Sequence, residues 1–296
     1  MKSGFVAIIG KPNVGKSTLL NRLAGQKIAI VSNKPQTTRT AIKGIINLEN
    51  AQIIFTDTPG IHKPKNKLGV KMSEAIDEAT TDVDLVLYLI EATDKGIGTA
   101  NEYILKKIKD MNTKAILAIN KVDLVKKENL LGLIKEYSEN HEFEAIIPIS
   151  AKTDDGINIL LDKIVEVLPE GPLYYPVDEW TDQTERQIVE ETIREKALKS
   201  LEDEIPHGIA VEVESMKERE DKKIYDIEVT IYCEKKSHKG IIIGKDGAVL
   251  KLIGERARED IEKMLDSKVN LQLWVKVKEG WRDDDFKLNQ FFPNKK

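Results

Sequence analysis

Hydrophobic residues gather in short runs along the first half of the chain. These runs are rich in isoleucine and valine, and longer stretches with charged, helix-favouring composition separate most of them. They occupy residues 5–9, 42–47, 52–56, 84–90, 114–120 and 144–150. Runs of this kind predict strands, and their alternation with helical stretches predicts βαβ units around a mainly parallel sheet. Only residues 48–51 separate the second and third runs, so we expect an antiparallel hairpin at one edge of the sheet.

The pattern changes near residue 168. Residues 169–182 contain three prolines and no apolar periodicity, which indicates a linker. Residues 184–201 then have the pattern of an amphipathic helix. Three later stretches alternate between apolar and polar positions as half-buried strands do, over residues 208–215, 224–233 and 269–277. With a glycine loop flanked by helices before the last strand, the predicted order is helix, strand, strand, helix, loop, helix, strand.

Length and composition support two soluble domains. At 296 residues the chain has room for both. We predict an α/β domain over 1–168, the linker over 169–182 and a smaller α+β domain over 183–296. The contents of 41% hydrophobic and 32% charged residues are typical of a globular protein. The net charge of −4 is no chain-wide sign of nucleic-acid binding, so such binding would need a local patch.

Other sequence features concern the compartment. The single cysteine, Cys233, excludes an intrachain disulfide and fits a reducing environment. No signal-peptide pattern follows Met1, and the longest apolar run, 85–90, is far shorter than a membrane span. We therefore expect a cytoplasmic protein.

The first glycine loop follows the first predicted strand and precedes a helical stretch. Gly10, Gly15, Lys16 and Ser17 match the pattern G-x-x-x-x-G-K-[ST]. In such a loop, backbone N–H groups converge on phosphates at a helix N-terminus, the lysine reaches the β- and γ-phosphates, and the hydroxyl ligates Mg²⁺. An ordinary glycine turn is the alternative. The predicted contacts are Gly10, Lys11, Pro12, Asn13, Val14, Gly15, Lys16, Ser17 and Thr18.

Three further segments each follow a predicted strand, where ligands of open α/β sheets bind. The first, DTPG, provides Asp57 as a Mg²⁺ ligand. In NKVD, Asp123 could accept hydrogen bonds from guanine N1 and N2, a pattern that adenine lacks. In SAK, the Ala151 N–H could approach guanine O6. Each segment alone could be a turn, but the three together in this order indicate a nucleotide site. The predicted contacts are Asp57, Thr58, Pro59, Gly60, Asn120, Lys121, Asp123, Ser150, Ala151 and Lys152.

These motifs resemble the G1, G3, G4 and G5 motifs of the translation-factor-related GTPases. The resemblance implies hydrolysis of GTP to GDP and phosphate with Mg²⁺ as cofactor. It also implies that Thr38 is the G2 threonine within a first switch over 33–44, with the adjacent Thr37 as the alternative. The implied metal ligands are Ser17, Thr38 and Asp57. The implied catalytic residues are Lys16, Asn13, Thr38 and Gly60.

One position departs from the Ras-type pattern. Ile61 follows DTPG, where that pattern has a glutamine that orients the attacking water. Isoleucine cannot hydrogen-bond water, so another group must position the nucleophile or intrinsic hydrolysis is slow. The resemblance suggests one compensation, because Asn13 matches GTPases that use K⁺ in place of an arginine finger. The alternative for Asn13 is a loop residue that bonds its own backbone, and both interpretations stay open.

The second glycine loop, in GIIIGKDG at residues 240–247, does not fit a triphosphate. Its spacing is one residue short, and Asp246 replaces the metal-binding hydroxyl. Gly244–Gly247 instead matches the GXXG loop with which KH domains clamp about four nucleotides of single strand. Residues 235–251 contain five lysines and one acid, an excess of +4. A glycine turn beside a solvated lysine face is the alternative. The predicted RNA contacts are Lys239, Gly244, Lys245, Asp246, Gly247 and Lys251.

Taken over its whole length, the chain is similar to bacterial ribosome-assembly GTPases with a C-terminal type II KH domain. Supporting segments are PQTTRT, REKAL, IIGKDG, LQLWVKVK and GWRDDD. The resemblance implies binding near the 3′ end of small-subunit, 16S-type ribosomal RNA and to the 30S-type subunit, in subunit maturation. It also implies some peripheral membrane association, for which the helix over 184–201 is the only support, and that helix better suits packing on the second sheet. We expect a monomer.

Two other functions remain open from the sequence. The second domain could be a protein-interaction module with incidental RNA binding, or the chain could bind RNA constitutively and use GTP only for structure. The salt dependence of RNA binding distinguishes an RNA-binding GTPase switch from the protein-interaction module, because phosphate contacts weaken steeply with salt. A comparison of the RNA affinity of the GTP-bound and GDP-bound protein distinguishes the switch from the constitutive RNA-binding protein.

Overall fold

A computed structural model of the chain describes residues 1–34, 36–61, 64–202, 205–220 and 222–292. Pro35 of the predicted first switch lies outside the described residues, as do residues 203, 204, 221 and 293–296 of the predicted second domain. The chain forms two compact units. The first comprises residues 1–31, 38–64 and 71–182, and the second comprises residues 32–37, 65–70 and 183–296.

The first unit contains a six-stranded sheet with the order β2-β3-β1-β4-β5-β6. Its strands are β1 (Lys2–Gly10), β2 (Ile42–Leu48), β3 (Ala51–Asp57), β4 (Leu85–Glu91), β5 (Ala115–Asn120) and β6 (Ala145–Pro148). β2 and β3 pair antiparallel at the edge, and the other neighbouring strands pair parallel. The mainly parallel sheet with an edge hairpin is therefore confirmed. β6 ends before the predicted residue 150 because the Ser150 N–H bonds Asp155 O at 2.9 Å.

Both faces of this sheet are buried, which explains the nearly continuous apolar runs. Val6 and Ile8 pack in one core, and the alternate residues Ala7 and Ile9 pack in the other. The helices of the first half are α1 (Lys16–Ala24), α2 (Lys67–Ala79), α3 (Thr99–Met111), α4 (Lys127–Asn140) and α5 (Ile157–Val167). Residues of α1 and α5 join the first core, and residues of α3 and α4 join the second. The sheet thus lies between two helical layers.

Residues 169–182, predicted as a linker, lie along the sheet edge of the first unit. The Ile45 N–H donates to Trp180 O at 3.0 Å, and Gln52 Nε2 donates to Tyr175 O at 2.8 Å. Gly44 also forms a β-bridge with Thr181. The contacts of Gly44 and Ile45 satisfy backbone groups of the edge strand β2, and the whole stretch 169–182 groups with the first unit.

The second unit follows the predicted order of elements. It contains α6 (Glu185–Ser200), β7 (Ala210–Glu218), β8 (Ile224–Cys233), α7 (Lys236–Ile243), α8 (Ala248–Leu265), β9 (Lys268–Val277) and α9 (Asp285–Phe291). The sheet order is β7-β8-β9, with β7 antiparallel and β9 parallel to β8. Val189, Ile193 and Ala197 of α6 are buried in its core, so this helix uses its apolar face for packing. Within the described residues, no helix is long and apolar enough to cross a membrane.

The last helix, α9, was not predicted from the sequence. Asp284 caps it, since its carboxylate accepts the backbone N–H groups of Phe286 and Lys287. The preceding Trp281 is fully buried, and its Nε1 donates to Gly208 O at 3.0 Å. The run of aspartates before a short apolar pattern was the sequence feature that could have predicted this helix. The buried tryptophan shows that this end of the chain belongs to the folded unit.

Candidate nucleotide and RNA sites

The first glycine loop connects the end of β1 to the start of α1. Gly15 adopts a φ of +102°, and a Cβ there would lie 2.3 Å from Asn120 Nδ2. A side chain at this position would therefore be strained and would displace Asn120. The loop therefore needs glycine here for both reasons.

The carbonyl groups of this loop are held by side chains. Lys16 Nζ donates to Gly10 O at 3.1 Å and to Lys11 O at 2.9 Å. Lys121 Nζ donates to the Asn13 carbonyl at 2.9 Å, and Asn120 Nδ2 donates to the Val14 carbonyl at 2.8 Å. In a trans peptide the following N–H points away from the carbonyl, so the bonds to the Gly10, Asn13 and Val14 carbonyls orient the N–H groups of the residues that follow them. The loop is thereby prepared for an anion.

Lys16 is the main positive charge of this site. Its side chain is buried, and burial lowers its pKa to about 8, while the Asp57 carboxylate opposes that shift. An anion bound against Lys16 would favour the protonated form. A desolvated lysine surrounded by carbonyls therefore suits the phosphate role that the sequence predicted.

Three oxygen-bearing side chains meet beside the loop. Ser17 Oγ donates to Asp57 Oδ2 at 2.6 Å and lies 3.0 Å from Thr38 Oγ1, which is 3.4 Å from the same carboxylate oxygen. Asp57 is fully buried, burial raises its pKa, and its Oδ1 has no hydrogen-bond partner within the described part of the chain. A desolvated carboxylate with two hydroxyls fits Mg²⁺, which prefers oxygen ligands. Thr37 instead donates to Lys34 O at 2.6 Å, so Thr38 is the threonine that reaches this cluster.

The NKVD and SAK segments meet at the carboxyl ends of β5 and β6. Ser150 Oγ donates to Asp123 Oδ1 at 2.7 Å, and the Ala151 N–H donates to Asn120 Oδ1 at 3.0 Å. Asn120 thus connects the glycine loop to SAK, a positioning role that sequence reasoning missed. Asp123 and Lys152 are exposed. The predicted contacts of these residues with a guanine base stay predictions.

The DTPG segment packs tightly under the loop. Thr58 is buried and donates to Ile8 O at 2.7 Å. A Cβ on Gly60 would lie 2.7 Å from Pro12, so only glycine permits this approach. The Ile61 N–H donates to Gly10 O at 3.1 Å, and the Ile61 side chain is buried in a core. The Ile61 side chain therefore packs in the fold, and both alternatives for the water, another positioning group or slow intrinsic hydrolysis, stay open.

Sequence reasoning missed two acidic residues near this loop. Glu91 ends β4 and forms an ion pair with Lys121, and Asp94 forms one with Lys11 at 2.8 Å. The feature of the sequence that could have revealed them is their position at or just after the end of a buried strand, at the same edge of the sheet as the recognised motifs.

The second glycine loop lies between α7 and α8. Gly244 has a φ of +74°, and a Cβ there would lie 2.5 Å from Val249 Cγ2 and 2.9 Å from Val249 N. Gly247 has a φ of +79°, with open space around it. Asp246 also adopts a left-handed conformation, which aspartate tolerates better than most residues. The exposed side chains of Lys245 and Asp246 stand between the two glycines, as a GXXG loop requires.

The lysines around this loop point into solvent. Lys239 and Lys251 are exposed, and the Lys251–Glu255 pair is loose at 3.9 Å. Ile242 and Ile253 are fully buried and fix α7 and α8 on the sheet. The structure therefore brings the six predicted RNA contacts onto adjoining elements, with a rigid base and an exposed positive surface.

Comparison with known proteins identifies both halves. Residues 5–121 match the family described as 50S ribosome-binding GTPase, and residues 204–282 match the KH domain family. The GTPase Era of Caldicellulosiruptor saccharolyticus is 57% identical over 283 residues, which cover 96% of this chain and 94% of that protein. This chain belongs to the Era family of GTPases. The GTPase Era of Ruminiclostridium cellulolyticum is 55% identical, over 96% of this chain and 95% of that protein.

Solved structures of Era proteins have the same fold as this Era-family chain. One is Era in complex with MgGDPNP and nucleotides 1506–1542 of 16S ribosomal RNA, with a TM-score of 0.96, 41% identity and 99% of both chains covered. A variant of Aquifex aeolicus Era bound to GDP and AlF₄⁻ has the same TM-score, identity and coverage. The predicted fold, a P-loop GTPase domain followed by a type II KH domain, is confirmed.

Proposed function

We propose that this Era-family GTPase is a GTP-dependent switch that binds 16S-type ribosomal RNA and assists assembly of the small ribosomal subunit. The observation that carries the proposal is the pair of unlike glycine loops. One has a desolvated lysine and oriented N–H groups, and the other exposes its lysine to solvent. The Era protein solved with MgGDPNP and 16S RNA, at 41% identity over 99% of the chain, supports both ligands.

In this proposal residues 10–18 hold the phosphates, and the strand-end motifs hold the base. Asp123 accepts two hydrogen bonds from guanine, and Ser150 keeps its carboxylate in place through the bond at 2.7 Å. Asn120, Lys121, Ala151 and Lys152 complete the base site, which GDP shares with GTP. Since adenine offers a donor where guanine offers an acceptor, the site selects guanine.

The proposed metal ligands are Ser17, Thr38 and Asp57. Mg²⁺ held by these oxygens would neutralise the phosphates and stabilise charge in the transition state. Lys16 contributes a second positive charge to the site. Thr38 connects the first switch to this site, and Gly60 brings its backbone close to the loop without a clashing side chain.

We further propose that Asn13 supports K⁺-assisted hydrolysis, because buried Ile61 cannot orient water. Asn13 is exposed at a φ of +65° in the middle of the loop. Hydrolysis should then be faster in potassium than in sodium at matched ionic strength, and Asn13→Ala should remove the difference while nucleotide binding changes little. Equal wild-type rates in both salts would contradict the role of K⁺.

One experiment tests both RNA binding and the preference for the small over the large ribosomal subunit. The purified chain, loaded with GDP or a non-hydrolysable GTP analogue, is sedimented with isolated 30S or 50S particles at increasing salt. We expect binding to 30S particles that depends on the nucleotide and falls steeply with salt. Because the matched GTPase family is described by its 50S binding, preference for 50S particles would refute the small-subunit assignment. Salt-insensitive binding would favour a protein-interaction module.

The remaining parts of the proposal concern location and assembly. We propose a cytoplasmic monomer, with peripheral contact to the inner face of the cell membrane as a secondary property. Flotation with anionic vesicles and analytical ultracentrifugation test these two points. The burial of the α6 apolar residues leaves that helix little apolar surface for lipid, so we expect weak flotation.

A further inference from the structure

Two acids form ion pairs with lysines of the nucleotide site. Glu91 contacts Lys121, and Asp94 holds the Lys11 ammonium group with both carboxylate oxygens, at 2.8 and 2.9 Å. The two acids are three positions apart, and their side chains are largely buried, at 23% and 16% exposure. We name Glu91 and Asp94 the acidic brace.

The brace acts on the loop through the two lysines. Lys121 Nζ bonds Glu91 and also the Asn13 carbonyl, at 2.9 Å. A carbonyl fixed in this way orients the peptide that follows it, and so the Val14 N–H. Lys11 is itself the second residue of the loop. The brace therefore fixes the loop at two points on either side of Pro12, and Asn13 belongs to the fixed part.

The brace is attached to rigid elements. Glu91 is the last residue of β4, and its Oε2 accepts from Thr93 Oγ1 at 3.2 Å. Asp94 Oδ2 accepts from Asn101 Nδ2 of α3 at 3.2 Å, and Asn101 Oδ1 accepts from the buried Tyr88 hydroxyl at 3.1 Å. A carboxylate held this firmly can define where a flexible lysine side chain ends.

We propose that Glu91 and Asp94 are positioning residues for GTP, acting through Lys121 and Lys11. The inference rests on the proposed function, in which this loop binds GTP. Charge alone predicts the opposite effect, because removing a carboxylate near a triphosphate should strengthen anion binding. A positioning role predicts that the variants bind GTP more weakly, although each substitution removes a negative charge from the site. The sign of the effect therefore separates the two accounts.

The test uses amide variants of similar shape. Glu91→Gln, Asp94→Asn and the double variant are compared with Glu166→Gln, whose carboxylate pairs with Lys163 at 2.8 Å on α5. Dissociation of fluorescent GDP, and kcat and KM for GTP in potassium and in sodium, are measured. We expect each brace variant to release GDP about fivefold faster, and the double variant more, as for loss of a partly buried charge pair. The control should behave as wild type.

If Glu91 and Asp94 only stabilised the fold, their variants would lower the thermal midpoint and leave KM unchanged. Thermal midpoints are measured without nucleotide, and Asp94→Glu keeps the charge while it displaces the carboxylate. Unchanged or slower GDP release in the double variant would overturn the proposal, and so would a fall in thermal midpoint without a change in KM. If the amide variants do not fold, wild-type GDP release in Asp94→Glu overturns it instead. Failure of the proposed function looks different, because the wild type would then not bind GTP.

Discussion

The two glycine–lysine loops of this chain place their lysines in opposite environments. Lys16 in the first loop is only 6% exposed, donates to two loop carbonyls and has its pKa lowered to about 8 by burial. Lys245 in the second loop is exposed between two glycines with positive φ. Both loops use glycine to permit unusual backbone geometry. Only the first loop holds its lysine ammonium group buried from solvent and oriented by hydrogen bonds.

This difference matches the two proposed ligands. A nucleotide is small, so its site can surround it, and desolvation strengthens each electrostatic contact. A polymer backbone passes across a surface, where charges remain solvated and salt competes for the phosphates. A Gly-Lys pair in a sequence is therefore not sufficient to name a ligand. Its surroundings decide between a triphosphate and a nucleic acid.

The largest expected effect is that of Lys16→Ala. Loss of a buried charge that faces phosphates should weaken GTP binding by roughly a hundredfold, because alanine removes the charge-assisted hydrogen bonds of the ammonium group. The RNA affinity of the protein measured without nucleotide should not change. Titration with a fluorescent nucleotide and an RNA gel shift measure the two effects. If RNA affinity fell as much as GTP affinity, the loops would not have separate ligands.

Asp123→Asn should weaken GTP binding by about tenfold or more, because an acceptor of two bonds becomes a group that also donates. Xanthosine triphosphate, which has an oxygen in place of the guanine amino group, should recover the loss. Competition of both nucleotides against labelled GDP provides the measurement. Unchanged GTP affinity would show that NKVD does not read the base.

Lys245→Asp should weaken binding of single-stranded RNA by about tenfold, because it replaces attraction of phosphate with repulsion beside Asp246. GTP affinity and thermal midpoint should hardly move, since the side chain is exposed. Fluorescence anisotropy at several salt concentrations measures the loss. Lys268, an exposed lysine at the start of β9, provides a matched control as Lys268→Asp. RNA binding as tight as in the wild type would contradict the KH clamp.

The smallest expected effect concerns a half-buried acid of the second unit. Burial raises the pKa of Glu190 to about 7, although the Val213 N–H donates to it. The folded state therefore holds the proton more tightly than the unfolded state, and the resulting stability is present below pH 4.5 and lost as the pH rises through 7. Glu190→Gln should stabilise the protein by about 1 kcal/mol at pH 8, after allowance for partial exposure, and hardly at all at pH 4.5. Thermal unfolding at both pH values, with exposed Glu259→Gln as control, checks this prediction. An equal gain at both would exclude titration as the cause.

Much of the fold followed from local pattern. The β-branched runs predicted the strands of the first sheet, and the four-residue gap between runs 42–47 and 52–56 predicted the edge hairpin that β2 and β3 form. The stretch 169–182, predicted as a linker, makes contacts that its composition did not predict. Prolines and absent periodicity indicate irregular backbone, yet irregular backbone can still satisfy a strand edge, as Trp180 does with Ile45. Similarly, no periodicity could show that Trp281 is fully buried.

The sequence by itself predicted which residues carry the proposed chemistry. Glycines at 15 and 244, the lysines at 16 and 245 and the carboxylates at 57 and 123 stand in motifs whose spacing follows from backbone geometry. Tertiary structure decided their environments and partners. The selection of Thr38 over Thr37 and the brace of Glu91 and Asp94 depend on residues distant in sequence that meet at one edge of the sheet. Burial and pairing are properties of that meeting, and they give the first loop the buried lysine that we propose for a triphosphate and the second loop the exposed lysine that we propose for a polymer.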